Sequence, residues 1–140
     1  MRLLKMLTTK ELENVIMKYI KDFEEITNRK YTINFKENMA NGADGTYVFS
    51  NYQGYHYVDS ERGIEITHKI TDDVFEISFW TLNPYIIMIS FEYERANRKK
   101  GTNSREVALN KQLELWGMLG DNFRKRGEIE VSEVLKANPL

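Results

Sequence analysis

His56 and His68 are the side chains in this sequence best suited to bind a metal or pass a proton. Both lie in a stretch that alternates apolar and polar residues, where a hairpin would set one across from the other. A metal site also needs a third ligand and neighbours that orient the imidazoles. The nearest acids, Asp59 and Glu65, fall on the opposite sheet face in the register favoured below. The pair is therefore expected to bond to backbone, and a small metal- or His-dependent enzyme is the alternative reading. Asp72 with Asp73 and Glu92 with Glu94 are possible acid–base pairs, but adjacent or i, i+2 residues on a helix do not converge on one point. Asp72 and Asp73 suit a helix's first turn, where acids complement the dipole. No Gly-x-Ser-x-Gly elbow occurs, and Asn41-Gly-Ala-Asp-Gly45 lacks the Lys-Ser/Thr and following helix of a phosphate loop.

Tyr47, Tyr52, Tyr55 and Tyr57 could stack bases on a sheet, which makes a nucleic-acid-binding regulator a further alternative. Charge argues against it. The 140 residues hold 20 Lys plus Arg and 21 Asp plus Glu, a net charge of -1, with neither half basic. Nucleic-acid binders normally carry a basic surplus. Arg98-Lys99-Lys100 and Arg124-Lys125-Arg126 sit beside acids and read as solvated helix ends. The chain has no cysteine, which removes disulfides, thiol catalysis and thiolate-held zinc. No run approaches the roughly 18 consecutive apolar residues of a membrane span. Met1–Leu7 is too short for a signal-peptide core. One soluble, intracellular domain is expected over residues 1–140. What remains is a binding surface, for which the tyrosines and arginines around Tyr55, Tyr57, Glu61 and Arg62 are the suitable types. The competing reading places Tyr55 and Tyr57 in the core.

The elements follow from periodicity. Thr8 with Glu11 makes a capping box before a helix whose apolar face is Leu12, Val15, Ile16, Tyr19, Ile20, Phe23 and Ile26, ending near Asn28. Period two then predicts strands at Tyr31–Lys36, Thr46–Ser50, Gly54–Ser60 and Ile64–Ile70, with a loop over Asn38–Gly45. A three-residue loop at Glu61-Arg62-Gly63, with Gly63 in a bulge, pairs Ser60 with Ile64, Val58 with Ile66 and His56 with His68. That register buries Val58, Ile64, Ile66 and Ile70 on one face and sets Tyr55, Tyr57, Glu65, Thr67 and Lys69 on the other. Thr71-Asp72-Asp73 starts a buried helix, Asn83-Pro84 breaks it and starts another, and Ser104 caps a helix over 105–119. A last segment is marked by Phe123, Val131, Val134 and Leu135. The expected class is α+β: an N-terminal helix, a four-stranded antiparallel meander, then three to four C-terminal helices packed on the sheet.

Within residues 54–136 an ordered set of motifs stands out. It comprises Gly54-Tyr-His-Tyr-Val-Asp-Ser-Glu-Arg-Gly63, Thr71-Asp-Asp, Phe79-Trp80, Glu92-Tyr-Glu94, Arg98, Ser104-Arg105 and Lys111-Gln112-Leu-Glu-Leu115. This set resembles the immunity protein 63 family of bacterial polymorphic toxin systems, in which Tyr-His-Tyr is followed by Glu-Arg-Gly. Phe79 stands where the family has tyrosine, and Asn103-Ser-Arg-Glu106 where it has an acid and paired arginines. The resemblance implies a cytoplasmic antitoxin that binds the C-terminal domain of a cognate toxin. It implies no enzyme activity, cofactor, metal, membrane or nucleic acid, and a monomer or weak dimer. The partner-binding residues expected are Tyr55, Tyr57, Asp59, Glu61, Arg62, Arg98 and Arg105. Against that, Glu61 and Arg62 are expected to form an ion pair tying the hairpin to a helix.

Overall fold

The structure is a computed structural model and describes residues 5–37 and 44–140. The loop expected over Asn38–Gly45 therefore lies mostly outside the described residues. The elements run α1 (Thr9–Thr27), β1 (Gly45–Asn51), β2 (Gly54–Glu61), β3 (Ile64–Thr71), α2 (Val74–Ala96), α3 (Ser104–Leu119) and α4 (Asp121–Ala137). This is the expected α+β order of helix, antiparallel sheet and C-terminal helices. The chain divides into two compact units, Met1–Thr81 and Leu82–Leu140, and α2 runs through both.

In the first unit, Thr8 and Glu11 form the full capping box, and Leu12, Ile16, Ile20 and Phe23 are the buried stripe of α1. The start of α1 is bound to the sheet. The Leu7 N–H donates to the Tyr55 hydroxyl (2.9 Å), the Ser50 hydroxyl donates to the Leu7 carbonyl (2.6 Å), and the Ser50 N–H donates to Thr9 Oγ1 (3.0 Å). Among the described residues the sheet has three strands in the order β1-β2-β3, not four. The segment Tyr31–Lys36 alternates as a strand would, yet only Asn34 bridges to β1, in parallel. Its neighbours are drawn elsewhere. The Tyr31 N–H donates to Glu24 Oε2 (3.1 Å) and its hydroxyl to the Thr81 carbonyl (3.1 Å), so the segment meets β1 at one residue.

The β2–β3 hairpin also corrects the expected register. Its turn has two residues: Arg62 and Gly63 have φ of 54° and 75°, and Glu61 pairs with Ile64. Left-handed backbone at both positions is the type I′ geometry that matches strand twist, and Gly63 takes its place there without strain. The bulge lies further along. Ser60 pairs with Glu65 and Asp59 with Thr67, which leaves Ile66 as the extra residue. Beyond it, Val58 pairs with His68 and His56 with Ile70, two residues from the expected partners. A shift of two preserves faces, so Val58 still shares one with Ile70, and Tyr55 and Tyr57 share the other with Thr67 and Lys69.

Burial departs further from expectation. Tyr55, His56, Tyr57 and Val58 are all buried, whereas Ile64, Ile66 and Ile70 are 68%, 60% and 45% exposed. The central strand is covered on both faces, and the edge strand β3 is left open. Of the four sheet tyrosines, only Tyr52 is at the surface. The others belong to the core, which removes them as a stacking face for bases.

Pro84 lies inside α2, so the expected break at Asn83-Pro84 does not occur. A proline within a helix costs about 3 kcal/mol or more. Leu82, Tyr85 and Ile86 are all fully buried, at about 1.5–3 kcal/mol for each large apolar side chain, and this outweighs the penalty. By length and hydropathy α2 could cross a membrane, but half of its apolar window is buried within the protein, as in a core helix. In the second unit the α3 cap is Asn103, whose side chain accepts from the Glu106 N–H, and not Ser104. Trp116 of α3 stacks on Phe123 of α4 with centroids 5.6 Å apart. Gly127 lies against the indole: a Cβ there would come within 2.5 Å of Trp116 Cδ1. Gly127→Ala is expected to lower the urea midpoint. Overpacking costs about 1–3 kcal/mol, while the helix-propensity gain of alanine is at most about 1 kcal/mol. A raised midpoint would contradict the close contact.

Candidate functional site

The bulge at Ile66 places Glu65 on the same face as the histidines, contrary to the sequence reading. In a regular strand Glu65 and His68 would point to opposite faces. Here His68 Nδ1 lies 3.1 Å from Glu65 Oε2, His68 Nε2 lies 2.8 Å from His56 Nδ1, and His56 Nε2 lies 2.7 Å from Asn51 Oδ1. Phe49 stacks on the His56 ring at 4.5 Å and 8°. The tautomers follow from one end. Asn51 Oδ1 already accepts the Gln53 N–H (2.9 Å), so it is an acceptor and His56 Nε2 carries the proton. His56 Nδ1 in a neutral ring then accepts, and His68 Nε2 donates to it. For the Glu65 contact to be a hydrogen bond as well, His68 must hold a proton on both nitrogens. The chain is a row of cross-strand bonds rather than a metal cage. The facing nitrogens are bonded to each other, and Glu65 sits at the far side of His68. Among the described residues no group of three or more His, Cys, Asp or Glu could hold a metal.

Burial is the main cause that lowers the pKa of His56, the charge of His68 adds to it, and Glu37 and Glu65 oppose it. Folded His56 thus takes up a proton less readily than the unfolded chain, whose histidines titrate near 6.5. Its contribution to stability is complete above that pH and is lost as pH falls below it. Urea midpoints should drop between pH 7.5 and 5.5, before carboxylates titrate. A midpoint constant over that range would contradict the assignment.

At the hairpin tip, Asp44, Thr46, Asp59, Glu61, Arg62 and Ile66 line much of an open cleft of about 700 Å³. Asp59 accepts from Thr46 Oγ1 (2.8 Å) and the Tyr57 hydroxyl (3.2 Å). Burial and the neighbouring Asp59 carboxylate raise the pKa of Tyr57, which keeps its hydroxyl a donor. Asp44 Oδ1 accepts the Arg62 N–H (2.6 Å) and so braces the turn. The Glu61 carboxylate and the Arg62 guanidinium are both exposed, and neither bonds to a partner among the described residues. The expected ion pair from the hairpin to a helix is absent there. The remaining candidates serve other contacts. Tyr55 and Tyr57 are core residues. In the second unit, Arg98 Nε lies 3.0 Å from both oxygens of Glu94, and Arg105 donates to the carbonyls of Asn138 and Pro139 (3.2 Å for the latter). Hydrogen bonds from Arg98 and then Ser104 lower the pKa of buried Glu94 against its desolvation. Glu94→Gln should lower the thermal midpoint at pH 7, because it removes the charge that holds Arg98. An unchanged midpoint would show that the pair adds nothing.

The sequence of residues 51–133, more than half of the chain, matches the family described as Immunity protein 63. The chain belongs to this family. It is accordingly an immunity protein, a non-enzymatic binder that neutralises a toxin by protein–protein contact, and its partner is the C-terminal domain of a cognate toxin. No curated protein and no solved structure matches it. The match begins at Asn51, so it takes in the histidine chain, the hairpin and the Glu94–Arg98 pair, and it includes Arg105 but not the carbonyls of Asn138 and Pro139 that Arg105 bonds. Asn51, Glu65, Ile64 and Ile66 were not identified from sequence. A period-two pattern assigns Glu65 and Ile66 to faces, and nothing in that pattern marks where a bulge will intervene.

Proposed function

We propose that the chain acts in the cytoplasm of the toxin-producing cell, where it holds the toxin domain in a one-to-one complex and presents the hairpin tip to it. The family match carries this reading, and the absence of a partner for the Glu61 and Arg62 side chains among the described residues supports the tip as the contact. Charged side chains that are not bonded within their own chain are free to pair across an interface, where complementary charge speeds encounter and fixes orientation. Asp59 borders the same cleft. Arg98, 60% exposed while bonded to Glu94, and half-buried Arg105 are further contacts on the second unit. The absence of cysteine suits a reducing compartment. Protection against a potent toxin requires occupancy at low concentration, which calls for nanomolar binding, about -12 kcal/mol.

Titrating the chain into the toxin domain encoded immediately upstream should abolish toxin activity at equimolar ratio. The two should co-elute as one complex on size exclusion. Full toxin activity at tenfold excess, with no complex, would refute the reading.

A further inference from the structure

Ile64 and Ile66 are among the most exposed large apolar side chains of the protein, and both flank the turn that holds Glu61 and Arg62. Ile66 is also part of the cleft wall, so apolar surface runs directly into the acidic recess. Contiguous exposed apolar residues rimmed by charge are the usual composition of a protein interaction site. Three carboxylates, Asp44, Asp59 and Glu61, meet one guanidinium, Arg62, in that recess. Asp44 and Asp59 each already accept hydrogen bonds, but a carboxylate has about four acceptor positions. The recess therefore favours a cation. It disfavours a second copy of this chain, which would bring the same excess of carboxylates.

We propose that the toxin domain docks on the outer side of the β2–β3 hairpin, laying an apolar patch on Ile64 and Ile66 and inserting a lysine or arginine side chain between Asp59 and Glu61. This rests on the reading above that neutralisation is by binding. The bulge decides the mode of contact. β3 is an edge strand, but its unpaired Ile66 interrupts the regular ladder that an added strand would need, as bulges on edge strands do. The toxin meets side chains here, not the backbone edge. Type I′ backbone at Arg62-Gly63 holds Glu61 and Ile64 directly opposite one another, so the acidic and apolar contacts are set by the same turn.

The test uses the full chain and the purified, catalytically inactivated toxin domain encoded upstream, with affinity measured by calorimetry at 50 and 300 mM salt. Ile64→Lys/Ile66→Lys should weaken binding by about a hundredfold, as two central apolar anchors do. Glu61→Lys should weaken it by about tenfold or more at 50 mM and flatten its dependence on salt. Glu61 is exposed at a turn, so this variant keeps the proposal testable if the double variant fails to fold, as judged by circular dichroism. Ile66→Thr provides a milder apolar loss in the same circumstance. If the native chain binds and the folded variants bind within twofold of it, the docking proposal is overturned while the immunity reading stands. If the native chain does not bind at all, the underlying reading fails as well. A dimer of the chain alone, seen by sedimentation and abolished by the same substitutions, would assign the surface to a second copy and overturn the proposal.

Discussion

The two-residue turn at Arg62-Gly63 and the extra residue at Ile66 together decide which side chain of β3 faces where. The turn fixes the pairing of Glu61 with Ile64, and the bulge then changes the phase of the strand once. Glu65 consequently joins His68 and His56 on one face, while Thr67 and Lys69 align with Tyr57 on the other. Without the bulge, the carboxylate would point away from the imidazole and the histidine chain would end at His68. The exposed isoleucines and the cleft beside them come from the same local geometry. One irregularity in eight residues thus organises both the histidine hydrogen-bond chain and the open surface.

The two faces of this hairpin have different physical roles. On one, Asn51, His56, His68 and Glu65 use their polar atoms on one another, and a ring stacked on Phe49 is held away from solvent. The bonds that buried His56 makes to Asn51 and His68 favour a particular pairing of strands, because an unpaired polar atom at that ring would be costly. On the other, Tyr57 and Asp59 bond to each other, and Lys69 lies over the rings of Tyr57 (5.4 Å) and Trp80 (4.4 Å). The histidine of the Tyr-His-Tyr motif and both its tyrosines are buried in the structure. At the tip, the Glu61 and Arg62 side chains have no partner among the described residues. This division suits an inhibitor, whose affinity depends on presenting a pre-formed surface with little ordering cost on binding.

Much of the fold was legible in the sequence where local chemistry decides the outcome. Thr8 and Glu11 satisfy each other's backbone within one turn, so the start of α1 could be read without knowing its surroundings. The strands over residues 45–71 were visible because alternation is a local property. The failures have a common cause in contacts made at a distance. Tyr31–Lys36 has a strand's pattern, but Glu24 and Thr81 hold Tyr31 away from a continuous pairing. Pro84 has a helix breaker's chemistry, and burial of Leu82, Tyr85 and Ile86 overrides it. At the site, Tyr55 and Tyr57 have the side chains of an interface, and only the covering of β2 on both faces shows them to be core. Glu61 and Arg62 read as a structural pair in the sequence; that neither side chain has a partner among the described residues is visible only in three dimensions. Arg98 follows Glu94 by one helical turn, a spacing already present in the sequence, whereas the partners of Arg105 lie 33 and 34 residues away and no spacing marks them.

The toxin is proposed to cover the surface that the turn and the bulge create. Hydrogen–deuterium exchange of the chain alone and in complex with the toxin domain tests this most directly. Slowed exchange on complex formation should centre on residues 59–67, with lesser slowing around Arg98 and Arg105 and the rest of α3 and α4 little changed. Slowing confined to α3 and α4, with residues 59–67 exchanging as in the free chain, would contradict it.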